Sequence, residues 1–151
     1  RHRSRGHEAP AARAALMASI ESLAPMPSAM YSPLVVEHFS APRNAGTLPA
    51  DADVIAGSAG SVAQGVQFEF SARIAGERIR EVRQRVYGCP HSIAAASWAS
   101  EQLVGLTRQE LEEWRWRELG ETLAIPAEKR GRMLVLEDAI RALGKAWREN
   151  P

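Results

Sequence analysis

Between Val66 and Tyr87 the chain keeps a side-chain period of two, and from Pro90 onward a period near 3.6; the change falls on Gly88-Cys89. A hairpin that passes directly into a helix leaves few ways to build a core, because one sheet face and one helix face must meet. Val66, Phe68, Phe70 and Ala72 alternate with Gln67, Glu69, Ser71 and Arg73, which predicts a half-buried strand. Ala75-Gly76-Glu77 reads as a hairpin turn. Ile79 to Tyr87 then reads as a second strand, with Val82, Val86 and Gln84 inward and Glu81, Arg83 and Arg85 outward on an exposed, arginine-lined face. Pro90 suits a first helical position, and the run from His91 to Val104, closed by Gly105, predicts a helix with small residues on one face.

The flanks fit the same plan. Ser32-Pro33 caps a short helix with Leu34, Val35, His38 and Phe39 on one side. The segments Ala41 to Gly46 and Gly57 to Gly65 lack a helical period and read as loops whose glycines suit tight turns or close approach. Thr107 with Glu110 matches a capping box for a helix running into Trp114-Arg115-Trp116, and Pro126 precedes a long amphipathic run through Met133, Leu136, Ile140, Leu143 and Trp147. The expected class is α+β: a small antiparallel sheet of about three strands, helices packed on one face and a long C-terminal helix.

Composition narrows the function classes. The chain has 151 residues and 45% apolar content, enough for one core. Residues 1–29 carry four arginines, no lysine and three prolines, and read as a flexible extension ahead of a domain over 30–151. A net charge of +1 supplies no basic field for nucleic acid, and no apolar stretch reaches the roughly 18 residues that span a bilayer. The lone cysteine cannot close an internal disulfide, which makes a cytoplasmic setting the simpler inference.

That cysteine is the first candidate for chemistry. Cys89, in Tyr87-Gly88-Cys89-Pro90-His91, sits at a helix start, where unpaired amides and the helix dipole favour the thiolate, the ligating and nucleophilic form. A free cysteine is equally at home as a small buried residue.

Tyr31-Ser32 to His38-Phe39, Pro42-Arg43-Asn44-Ala45-Gly46, Tyr87-Gly88-Cys89, Ile125-Pro126-Ala127-Glu128-Lys129 and Glu137-Asp138-Ala139-Ile140 together resemble the IscU/NifU N-terminal scaffold family, in order, over almost all of Met30 to Glu149. The resemblance implies a domain on which iron–sulfur clusters are assembled at three cysteines, helped by an aspartate and a histidine. In that register Cys89 is the only cysteine kept: Ala63, Gly65, Gly131 and Arg132 stand at the first cysteine, the aspartate, the histidine and the third cysteine. Cys89 is therefore the metal and cluster ligand that the resemblance carries over. One thiolate leaves the other iron sites to water, small thiols or another chain, so a homodimer sharing a cluster is one arrangement to expect. A cysteine desulfurase and an Hsp70-type chaperone are the implied partners. The chaperone-recognition segment is kept at Ile125, Pro126 and Lys129 and departs at Ala127 and Glu128.

Two readings follow. In the first, the protein is a scaffold-like component of iron–sulfur cluster assembly that contributes Cys89. In the second, it is a scaffold-derived interaction or regulatory module without metal. No phosphate-cradling loop, zinc-protease helix or nucleophile elbow marks it as an enzyme. His38, on the apolar side of the first helix, is expected as a packed core or surface histidine rather than a ligand, and most of the four tryptophans are expected in the core. Trp114 and Trp116, two apart on one helix, cannot share a core face, so one is expected to be exposed as a partner anchor.

Overall fold

The computed structural model describes residues 31–150; the expectations for residues 1–29 and for Met30 lie outside them. The element order is α1 (Pro33–Ser40), β1 (Val54–Ser61), β2 (Val66–Ala75), β3 (Arg78–Tyr87), α2 (Pro90–Gln102), α3 (Arg108–Glu112), α4 (Arg117–Thr122) and α5 (Arg130–Glu149). The strands form one antiparallel sheet in the order β1-β2-β3. This is the expected α+β architecture, and α5 is the expected long C-terminal helix.

The period of two does the work anticipated for it. Val66, Phe68, Phe70 and Ala72 on β2 are buried, and in register with them Val82 and Gln84 on β3 are buried too. Their apolar face meets the stripe Met133, Leu136, Ile140 and Leu143 of α5, all fully buried. α2 presents Ala94, Ala95, Ala96 and Ala99, whose small side chains let it lie close to the rest of the core. Burying a side chain the size of Phe68 stabilises by about 2–3 kcal/mol relative to exposure. Two arginines of the outer sheet face have acidic partners: Arg83 pairs with Glu81 at 2.9 Å, and Arg73 with Asp53 at 2.8 Å and Glu81 at 3.5 Å.

Two expectations are corrected. The Gly/Ser/Ala run from Gly57 is not wholly loop: through Ser61 it is the second half of β1, paired along its length with β2. Its side chains are small because α5 lies on it. A Cβ at Gly57 would stand 2.6 Å from the Leu143 amide nitrogen and 2.9 Å from the Ala139 carbonyl oxygen, and one at Gly60 would stand 2.9 Å from Val135. Past the buried Ile55 the strand carries no large side chain whose alternation could mark it. The second correction concerns the tryptophans. Residues 113–116 are not helical, and the chain there links α3 to α4, with Glu137 accepting from the Trp116 amide (3.0 Å) and Arg141 donating to the Trp114 carbonyl (2.9 Å). Freed from helical geometry, both rings pack half-buried against the core, and Trp116 covers Gly120. Trp98 and Trp147 pack against the same core.

A polar lattice closes the other side. The Arg43 amide donates to Ser97 Oγ (2.8 Å), which also lies 2.8 Å from His38 Nδ1. Gln84 Nε2 donates to the Arg43 carbonyl (2.9 Å), the Gln84 amide to the Asn44 carbonyl (2.8 Å), and the Gly46 amide to the Gln84 carbonyl (3.0 Å). The Pro42-to-Gly46 motif is thus a clasp joining α1, α2 and the edge of β3. Of the two placements open to His38, core or surface, the fold takes the core, with the residue only 3% exposed.

Two outcomes follow. Gly57→Ala should destabilise the chain by about 1–3 kcal/mol, read as a shift in urea midpoint, because helix backbone rather than a yielding side chain meets the new methyl group. Burial and then the Arg43 charge hold the imidazolium of His38 below its ordinary pKa. The unfolded chain therefore binds a proton that the folded chain resists, so stability is complete above the ordinary histidine range of about 6.5 and declines as pH falls through it. Thermal midpoints between pH 8 and 5 should fall in the parent and slope less in His38→Gln.

Candidate functional site

Three segments meet at the end of the sheet where β3 passes into α2: the Val62–Gln64 turn between β1 and β2, the Gly88-Cys89 junction, and the start of α5. Cys89 is the N-cap of α2, with extended backbone, Pro90 at the first helical position and its carbonyl accepting from the Ile93 amide at 3.0 Å. The thiol is half-buried, with Sγ 3.6 Å from Ser92 Oγ. Gly88 keeps the junction narrow, since a Cβ there would lie 3.0 Å from Ser92 and 3.5 Å from Val66. Burial pushes the thiol up. The hydroxyl and amide of Ser92, the charge of Lys129 and the His91 amide outweigh it, and the net shift is downward, in favour of the thiolate.

The register implied by the resemblance has a counterpart in space. Gly65, at the aspartate position, ends the turn with φ of +86°, a backbone state that favours glycine. Arg132, at the third-cysteine position, donates from Nη1 to the Gly65 carbonyl at 3.0 Å. Ala63 and Gly131 are exposed and offer no ligand atom beyond backbone. His91 does not fill the gap: it is buried, and its ring lies against Tyr31 with centroids 4.8 Å apart. Glu128 is exposed. Among the described residues no group of three His, Cys, Asp or Glu side chains could hold a metal ion. A cluster placed here would find one thiolate from this chain and the neighbouring charge of Lys129.

Beside this end, on the outer sheet face, a groove of about 280 Å³ is lined by Val62, Gln67, Glu69, Arg85, Val86 and Tyr87. Val62 and Tyr87 are large apolar residues left 56% and 51% exposed. Sequence reasoning found Cys89 and missed its supports. Ser92 was signalled by the Cys-x-x-Ser spacing, which puts a hydroxyl over an N-cap; the register of the resemblance already put Arg132 at this end, whereas nothing in the sequence announced Lys129.

The sequence profile described as the NifU-like N terminal domain matches residues 30–150. The iron-sulfur cluster assembly scaffold protein IscU of Azotobacter vinelandii is 36% identical over 114 residues, 74% of this chain and 89% of that protein. The mitochondrial iron sulfur cluster assembly protein 1 of Schizosaccharomyces pombe is 31% identical over 121 residues, 79% of this chain; the match spans 63% of that relative's length. Among solved structures, the N-terminal part of a nitrogen-fixing NifU-like protein from Brucella abortus superposes with a TM-score of 0.62 at 16% identity, covering 82% of this chain and 98% of that one, a likeness of fold. On the extent of the profile match and the identity to IscU, the chain belongs to the family of NifU-like N-terminal domains.

Proposed function

We propose that this protein is a scaffold-like component of iron–sulfur cluster assembly, with Cys89 the single ligand it contributes to the cargo. The observation that carries the reading is a half-exposed thiol, shifted toward thiolate, at the N-cap of α2 in a chain whose relatives are named as assembly scaffolds. Thiolate is the ligand iron and sulfide prefer, and the α2 dipole adds to its stability. Because a cluster takes about four ligands, the remaining positions fall to small thiols, to a second copy or to a partner. The protein holds cargo and does not turn over a substrate. A cysteine desulfurase and an Hsp70-type chaperone are the partners this role calls for, and Val62 and Tyr87 form an exposed apolar pair beside the thiol where a partner could seat. No described helix is long and apolar enough to cross a membrane, which is compatible with a cytoplasmic location.

A second reading is favoured by one contact. Arg132 stands where a ligand is implied and is engaged with Gly65, as in a module that has given up metal and kept its docking surfaces.

Anaerobic reconstitution of the 151-residue chain with iron, a sulfide source and a thiol separates the two readings. A cluster present in the parent and lost in Cys89→Ser supports the scaffold reading, with a doubled mass marking a shared cluster; no cluster in either supports the module. Independently, alkylation of Cys89 by iodoacetamide should titrate with a midpoint below that of an ordinary thiol, and Lys129→Gln should move it upward.

A further inference from the structure

The two faces of the sheet are finished differently. α5 and α2 pack on the inner face. On the outer face the chain crosses only near the middle, where the Leu48 amide donates to the buried Ser71 hydroxyl at 2.9 Å. Beyond Ser71, toward Tyr87, lies the 280 Å³ groove, with Val62 and Tyr87, the two most exposed of the large apolar residues described, on its rim. The groove also holds two opposite charges, Glu69 on β2 and Arg85 on β3, directly across from each other in the strand register. Their neighbours on this face are paired, Arg83 with Glu81, and Arg73 with Asp53 and Glu81. Glu69 and Arg85 form no ion pair with each other or with any other described residue, although cross-strand neighbours of opposite charge are well placed to do so.

We propose that this half of the outer face is a docking surface for a second copy of the chain, in a two-fold pair that lays Glu69 of each copy against Arg85 of the other and closes Val62 and Tyr87 between them. The charges choose the occupant. An acidic partner would be repelled by Glu69 and a basic one by Arg85. A second copy carries both signs at the same spacing, and a two-fold axis running along the strands between β2 and β3 reverses their order, so both contacts are satisfied at once. The same axis sets Gln67 against Tyr87 of the second copy, an amide against an aromatic ring. Sheets stacked face to face stand about 10 Å apart, a gap that a glutamate and an arginine reaching from opposite sides bridge. The open patch is a fraction of one sheet face, well below what a permanent dimer buries, so the pairing belongs with weak, concentration-dependent contacts. It uses neither metal nor thiol and does not rest on the cargo role.

The test is analytical ultracentrifugation of the full chain over a range of concentrations, with a reductant and a chelator present so that neither a disulfide nor a metal can join copies. The parent should show a monomer–dimer equilibrium, and Cys89→Ser the same one. Glu69→Arg and Arg85→Glu each set like charges against each other twice across the pair and should weaken it about tenfold. An equal mixture of the two variants restores both contacts and should dimerise like the parent. Tyr87→Ser, which changes no charge, should weaken the pair as well. Thermal midpoints show which variants are folded, and if a charge reversal does not fold, Tyr87→Ser decides. A parent that stays monomeric at every concentration overturns the inference, as does a dimer that depends on Cys89. So does a folded Glu69→Arg, Arg85→Glu or Tyr87→Ser that dimerises like the parent, or a mixture of the two charge reversals that does no better than either alone.

Discussion

The contact on which most of this structure depends is the seating of the α5 backbone on β1. At Gly57 a helix amide and a helix carbonyl come within the space of a missing methyl group. Further meetings lie toward the start of α5, Gly60 of β1 with Val135 and, in the turn after β1, Gly65 with Arg132. Closeness at the first meeting therefore fixes where the start of α5 falls, and with it the placement of Lys129 and Arg132 at the Cys89 end.

The clasp at Pro42-Arg43-Asn44-Ala45-Gly46 plays a complementary part. Its main-chain bonds to Gln84 and Ser97 hold α1 and α2 to β3, so α2 starts from a fixed platform. A motif that helps identify the family is thus accounted for by architecture: its main-chain groups are paired in a setting where unpaired ones would cost about 1–3 kcal/mol each, although Arg43 Nη1 and Gln84 Oε1 stay buried without a hydrogen-bond partner. Asn44, at φ of +59°, takes the left-handed turn that asparagine tolerates better than most residues.

Much of the fold was legible because large side chains wrote it. The alternation from Val66, the capping box at Thr107, confirmed in both of its bonds, and the stripe from Met133 each translate a period or a cap into one element. What stayed hidden was written in absences. β1 is built from small residues since the helix fills the space above them, and α4 is a six-residue helix too short to show a period. The Trp114-Arg115-Trp116 linker misled because helical spacing was assumed across a boundary that lies at Glu112. At the site, Cys89 and its cap position were readable from neighbours in sequence. Lys129 was not, and Arg132 was placed there only by the register of the resemblance; its bond to Gly65 comes from the sheet–helix register.

The bond between Arg132 and Gly65 also sets how much of this end is built before anything arrives. Two segments far apart in the chain, the turn that ends at Gly65 and the first turn of α5, are already held together by a side chain. Their spacing belongs to the folded chain itself, so whatever meets this end meets a finished surface rather than one it must assemble.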